Sequence, residues 1–202
     1  MSFKSDSTQN KVSSDLLALY IGNNQSVFQN EKKHKIDSLI LNQTVVHQLS
    51  KPLFKVNHTI FKNLKEKKLA FSETIDNVLF GYEEPIEMKW NLENEKKDIL
   101  SYECNKAITI FRGRKYIAWY TNAIPVSDGP YKFSGLPGLI LELYDDKENF
   151  HYNLLQIINK PGQIFYNDKI NMVERRKLLD AKINLLKKIS EKEIKINPIE
   201  LN

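Results

Sequence analysis

The alternation of apolar and polar residues through the middle of this chain constrains its fold more than any other feature. Val56, His58 and Ile60 fall on one side of such an alternation, and so do Leu141 and Leu143. Successive side chains of a β-strand point to opposite faces, so this period of two is typical of half-buried strands. Short polar turns separate the segments, as antiparallel connections do. Further strands are expected over residues 86–90 and 150–158, and Arg112-Gly113-Arg114 is expected to form a hairpin between residues 102–111 and 115–120. The sequence therefore predicts a mainly β (α+β) fold, built on a curved antiparallel meander sheet or a half-open barrel.

Two segments depart from this period and predict helices. Residues 31–42 carry Ile36, Leu39 and Ile40 at helical spacing among lysines, which indicates a short amphipathic helix. Residues 172–190 combine an apolar stripe with many lysines and arginines, which predicts a C-terminal amphipathic helix with a basic outer face. We expect residues 1–160 to form the antiparallel β domain. Residues 161–202 are expected to form a basic helical segment packed on that domain or trailing it.

Composition excludes several classes of site. The four histidines have no ligand spacing and a single cysteine cannot form a C-x-x-C pair, so we expect neither a metal nor a cofactor. Cys104 alternates with the apolar Tyr102 and is predicted to be buried and inert.

The net charge of +5 could attract phosphate or anionic lipid, but acidic residues are interspersed along the basic helix. We therefore favour a solvated helix face and predict no nucleic-acid partner.

We expect no export signal at the start of the sequence. Residues 1–10 are polar and lack the apolar core of a signal peptide, which taken alone predicts a cytoplasmic protein. No apolar run reaches the length of a membrane span, so an integral membrane protein is not expected.

Glycine and proline are concentrated between residues 124 and 140. Three of the seven glycines and three of the seven prolines fall there, among apolar residues such as Tyr131, Phe133 and Leu136. Proline fixes φ and glycine supplies conformations that other residues resist, so this segment specifies one loop shape. Pro137 and Gly138 stand where a type II turn places its two central residues. We predict a packed loop laid over the sheet, which either closes the core or lines a groove.

The residues around this loop resemble the GLPGLI family. The resemblance rests on Tyr102-x-Cys104-x-Lys106-Ala107, on Phe111-Arg112-Gly113-Arg114-Lys115-Tyr116-x-Ala118-Trp119-Tyr120-Thr121, and on Ile124-Pro125-x-Ser127-Asp128-Gly129-Pro130-Tyr131-Lys132-Phe133-x-Gly135-Leu136-Pro137-Gly138-Leu139-Ile140. It implies an exported protein of Bacteroidetes-type bacteria, in the periplasm or cell envelope. The family has no established activity that the resemblance could imply for this chain. Such proteins normally begin with a signal peptide and a first strand, which this chain is expected to lack.

Three functional hypotheses remain open at this point. The first is a non-enzymatic envelope protein that binds a lipid or other apolar ligand in a groove edged by the loop. The second is a structural or accessory partner of an envelope complex, with the loop plugging the core. The third is an enzyme that uses Asp128 with Arg112 and Arg114, which we favour least because no general base stands at a motif-defined spacing.

The candidate site comprises the loop and the strand before it. We expect Asp128 to cap its own turn and to accept a hydrogen bond from Arg114. The candidate loop or groove residues are Arg112, Arg114, Trp119, Tyr120, Asp128, Pro130, Tyr131, Phe133, Gly135, Leu136, Pro137 and Gly138.

Overall fold

The structure is a computed structural model that describes residues 1–4, 12–41, 55–75, 78–159, 164, 166–167, 169–189 and 198–201, with only the backbone at 37–41 and 186–189. The chain forms two compact units. Unit 1 comprises Met1–Ser14, Ile86–Pro161 and Lys195–Asn202, and unit 2 comprises Asp15–Pro85 and Gly162–Ile194. The predicted division into residues 1–160 and 161–202 stays a prediction; in the structure, unit 2 combines residues 15–85 with residues 162–194.

Unit 1 contains a seven-stranded sheet in which all neighbours are antiparallel. Its strands are β1 (Ser2–Lys4), β2 (Val12–Ser14), β8 (Asn91–Ile99), β9 (Tyr102–Phe111), β10 (Arg114–Thr121), β11 (Leu139–Asp145) and β12 (Phe150–Asn153), in the order β2-β1-β12-β11-β10-β9-β8. The predicted hairpin at Arg112 and Gly113 is confirmed, because it joins β9 to β10. Both residues have positive φ, 48° and 78°, as the tight turns of two-residue hairpins require.

Unit 2 contains a six-stranded sheet and both helices. Its strands are β3 (Leu17–Ile21), β4 (Gln25–Asn30), β5 (Thr59–Asn63), β6 (Lys68–Ile75), β7 (Val78–Pro85) and β13 (Asn171–Met172), in the order β13-β7-β6-β5-β4-β3, with β13 parallel to β7. The helices are α1 (Glu31–Leu41) and α2 (Arg175–Ile189). Leu178 of α2 is buried and Lys182 reaches Glu73 of β6 at 2.8 Å. The predicted fold class, mainly β with two helices, is confirmed, and the strands divide between two sheets.

Three details of the predicted strand pattern were wrong. Residues 86–90 alternate in sequence but form no strand, whereas the charged residues 91–99 do form one, β8. β8 lies at the edge of its sheet with most side chains exposed, so its sequence carries no apolar alternation to reveal it. The strand predicted over residues 150–158 ends at Asn153.

Candidate functional site

The predicted loop, residues 124–140, lies over one face of the sheet of unit 1 and packs aromatic side chains against it. Phe133 is 0% exposed, and its ring centroid lies 4.6 Å from that of Tyr116 on β10 and 5.3 Å from that of Phe111 on β9. Leu136 and Tyr131 are buried as well. The apolar residues of the loop are therefore part of the core of unit 1.

Close backbone approach explains the glycine at position 138 better than turn type does. The predicted type II turn was wrong, because Gly138 does not have the positive φ that such a turn demands. A Cβ atom at this position would instead lie 2.0 Å from the carbonyl oxygen of Thr121, at the end of β10. The glycine thus lets the two ends of the loop pass each other.

Asp128 holds the turn that precedes the aromatic part of the loop. Its side chain is 0% exposed and accepts a hydrogen bond from the amide of Gly129 at 2.7 Å. Its own carbonyl accepts the amide of Ile140 at 3.0 Å. The prediction that Asp128 caps its own turn is confirmed, and its pairing with Arg114 stays a prediction.

Arg114 is anchored on the same face of the sheet. Its guanidinium lies 3.3 Å from a carboxylate oxygen of Asp145 on β11, and both side chains are buried. Asp145 also accepts the side-chain amide of Asn149 at 2.8 Å and the backbone amide of Phe150 at 2.7 Å. The position of Arg114 is therefore fixed by the sheet and by the turn before β12.

Residues 198–201, which sequence reasoning did not assign to the site, complete it. Residues 198–201 lie against the hairpin and the loop, where Glu200 accepts from the hydroxyl of Tyr131 at 2.6 Å and from the ammonium of Lys132 at 2.6 Å. Arg112 approaches the other oxygen of Glu200 at 3.8 Å. No local signal marks this segment in the sequence, because its contacts join residues that are about seventy positions apart in the chain.

Trp119 does not belong to this site, although it was predicted in the same set. It pairs with Lys106 of β9 and is three residues on from Tyr116 in unbroken register, so the two side chains point to opposite faces of the sheet. Tyr120 follows a register shift on β10, and its side chain is buried. The other predicted residues stay with the loop: Pro130, Gly135 and Pro137 lie along it between Asp128 and Gly138.

The opposite face carries a second polar cluster. The ammonium of Lys97 lies 4.4 Å from the ring centroid of Trp119 and pairs with Glu142 of β11. His151 bonds the other oxygen of Glu142 at 2.8 Å. This hydrogen bond, together with Lys97, holds the pKa of Glu142 below its ordinary value, although partial burial opposes the shift. Of these residues, sequence reasoning had selected Trp119 alone.

The described residues were compared with two further kinds of feature, a metal-binding cluster and a membrane-spanning helix. Within the part of the chain that the structure covers, no three His, Cys, Asp or Glu side chains are grouped so as to hold a metal ion. None of its described helices is both long and apolar enough to span a membrane.

Two solved structures are similar to this chain, and both are titled as structures of PNGF-II. The one in the C2 space group has 15% sequence identity and a TM-score of 0.56, and the one in the P21 space group has 16% and 0.58. Each alignment covers 87% of this chain and 31% of the other chain. This likeness shows the fold alone, and the chain spans 31% of the length of those proteins.

The sequence comparisons add a partial family match. No protein with a curated description matches the chain. A family model described as a protein of unknown function, Porph_ging, matches residues 112–142. That range runs from the hairpin through β10 and the loop into β11 and includes the Gly135–Ile140 hexad, so the chain resembles the Porph_ging family in the very stretch that forms the loop site.

Proposed function

We propose that this protein is a non-enzymatic protein of the bacterial cell envelope, acting as a structural or accessory partner of an envelope complex. The observation that carries the proposal is the burial of the loop, whose central ring, Phe133, lies wholly inside unit 1. A loop that edged a groove for lipid would present such side chains to the ligand. Here they are used to build the core, which favours the accessory role over apolar-ligand binding.

The surroundings of Asp128 support a non-enzymatic role. A catalytic carboxylate must reach a substrate proton or a reacting atom. The carboxylate of Asp128 is buried and bonded to the backbone of its own turn, which is a structural use of this side chain. Arg114 is likewise held by Asp145.

The placement in the envelope rests on the GLPGLI resemblance, with which the Porph_ging match over residues 112–142 is compatible. The charges of α2 favour a partner other than nucleic acid. Lys182 is paired with Glu73 and Lys177 lies 3.9 Å from Glu174, so part of the basic charge is balanced within unit 2. A protein partner therefore fits this molecule better than a polyanion.

Native mass spectrometry and site-specific photo-cross-linking test this proposal together. A photoreactive residue is placed at Ile110, 79% exposed on β9, and at Lys147 in the exposed turn after β11 as the matched control. We expect the purified chain to carry no lipid, and we expect a discrete cross-linked protein from position 110 in the producing cells, absent from position 147. A stoichiometric lipid adduct that is lost in Phe133→Ala would overturn the proposal in favour of apolar-ligand binding.

A further inference from the structure

We infer that the hairpin and the loop form a recognition site for a short acidic peptide, and that residues 198–201 occupy it as a tethered ligand. This inference concerns unit 1 alone and does not depend on the envelope role. It is carried by the hydrogen bonds, burial and charge of five receptor residues: Arg112, Arg114, Tyr116, Tyr131 and Lys132.

The receptor residues bind the main chain of the segment, as peptide-binding sites do. The guanidinium of Arg114 donates to the carbonyl of Pro198 at 2.8 and 3.1 Å. The hydroxyl of Tyr116 donates to the carbonyl of Ile199 at 2.7 Å, and the amide of Leu201 donates to the carbonyl of Arg112 at 2.8 Å. Residues 198–201 form neither helix nor strand, so these bonds to side chains and to the hairpin fix their conformation.

Charge selects an acidic residue at the third position of the segment. The side chain of Lys132 is 1% exposed, and that of Glu200 is 6% exposed at a distance of 2.6 Å. A buried ammonium must be paired, since leaving it uncompensated is strongly unfavourable. A glutamine at position 200 would keep the shape and a hydrogen bond but would remove the charge that Lys132 faces.

The receptor is organised by the sheet rather than by the segment. Asp145 orients Arg114 from β11, and Tyr116 is a buried residue of β10. Tyr131 has a φ of 54°, a left-handed conformation that is uncommon for an aromatic residue and that brings its hydroxyl to Glu200. Because Asp145 and β10 hold Arg114 and Tyr116 independently of residues 198–201, this part of the site is expected to keep its shape without its occupant.

The hairpin leaves room for the apolar residue that follows the acid. A Cβ atom at Gly113 would lie 3.1 Å from the Cβ atom of Leu201, so glycine at the hairpin tip allows this side chain to approach. The ligand chemistry is therefore a short peptide with proline at its first position and glutamate at its third. In this protein residues 198–201 of the chain itself supply it.

A peptide titration with the full chain tests the inference. The probe is a fluorescent peptide with the sequence Asn-Pro-Ile-Glu-Leu-Asn of residues 197–202, acetylated and amidated, and its counterpart has Gln in place of Glu. In the Glu200→Gln variant the tethered segment binds the site more weakly, because its ion pair with Lys132 is lost. The site then becomes available to the added peptide. We expect Glu200→Gln to bind the Glu peptide at least about tenfold more tightly than the wild type does, and about tenfold more tightly than it binds the Gln peptide, since a charged hydrogen bond contributes that much.

Two further variants test whether the preference for the Glu peptide depends on Lys132 and whether it is limited to this site. Lys132→Gln combined with Glu200→Gln should remove the preference for the Glu peptide, whereas Glu148→Gln, at an exposed turn, should behave as the wild type. Equal binding of the two peptides to folded Glu200→Gln, or no binding of either, would overturn the inference and make the segment an integral part of the core. If Glu200→Gln does not fold, Leu201→Ala loosens the segment without altering Lys132, and the same comparison of the two peptides decides.

Discussion

Replacing Phe133 with alanine tests whether the loop is part of the core, because this ring is 0% exposed and lies 4.6 Å from the ring of Tyr116. Returning a fully buried phenylalanine to water removes about 1.5–3 kcal/mol of transfer free energy. The space it vacates is lined by the rings of Phe111, Tyr116 and Trp90, and rigid rings on a sheet collapse poorly into a cavity. Aromatic-to-alanine changes at such sites lower the free energy of unfolding by about 3–5 kcal/mol in all, and we expect a loss in this range.

Denaturant unfolding followed by far-UV circular dichroism measures this loss, with Ile110→Ala as the matched control. Ile110 is also apolar and adjoins the same hairpin, but it is 79% exposed, so its truncation should change the free energy of unfolding by less than about 0.5 kcal/mol. A loss below about 1 kcal/mol for Phe133→Ala, with an unchanged denaturant dependence, would show that the loop does not contribute to the core. The apolar groove would then become the better interpretation of the loop.

Three further predictions follow from single contacts. Gly138→Ala places a Cβ atom 2.0 Å from the carbonyl oxygen of Thr121, so we expect a loss of about 1–3 kcal/mol in denaturant unfolding, against almost none for Ser127→Ala in the exposed part of the loop. Cys104 is 0% exposed and burial raises the pKa of its thiol, so a thiol reagent should label the native protein far more slowly than the unfolded chain; equal rates would contradict its placement. The hydrogen bond from His151 lowers the pKa of Glu142 in the folded state, so its stabilising contribution is present above the ordinary carboxyl pKa and is lost as the pH falls through the folded value. The difference in unfolding free energy between the wild type and Glu142→Gln should therefore shrink from pH 7 to pH 3, and a difference independent of pH would refute this assignment.

Features that depend on neighbouring residues in the chain were predictable from the sequence. The burial of Cys104 follows from the alternation along β9, and the hairpin follows from a single glycine, Gly113, between two alternating segments. The packed loop follows from its density of glycine and proline among apolar residues. In each case the physical cause is local, since it lies in backbone conformation or in the two faces of one strand.

Features that depend on register and on distant contacts were not predictable. Trp119 was grouped with the loop because it is close in sequence, yet the pairing of β10 with β9 and β11 turns it to the other face. A strand presents alternate residues to opposite faces, so proximity in sequence cannot decide which residues share a site. β8 was missed for a related reason, because an exposed edge strand has no apolar side to mark it. The docking of residues 198–201 depends on a contact between Glu200 and Lys132 that no periodicity encodes.

The buried ion pair between Lys132 of the loop and Glu200 contributes to the specificity of this contact more than to the stability of the fold. A buried ion pair gains little over apolar residues of the same volume, because both ions lose their hydration. Lys132 and Glu200 nevertheless form such a pair, with the ammonium of Lys132 5.5 Å from the ring centroid of Tyr131. An apolar contact at this place would let the segment shift along the hairpin at little cost in energy. A charge paired with one position opposes that shift, since moving by two residues would put Pro198 or Asn202, neither of them charged, in the place of Glu200. The ion pair thus fixes which four residues lie on the hairpin, and this is the property that a peptide-recognition site requires.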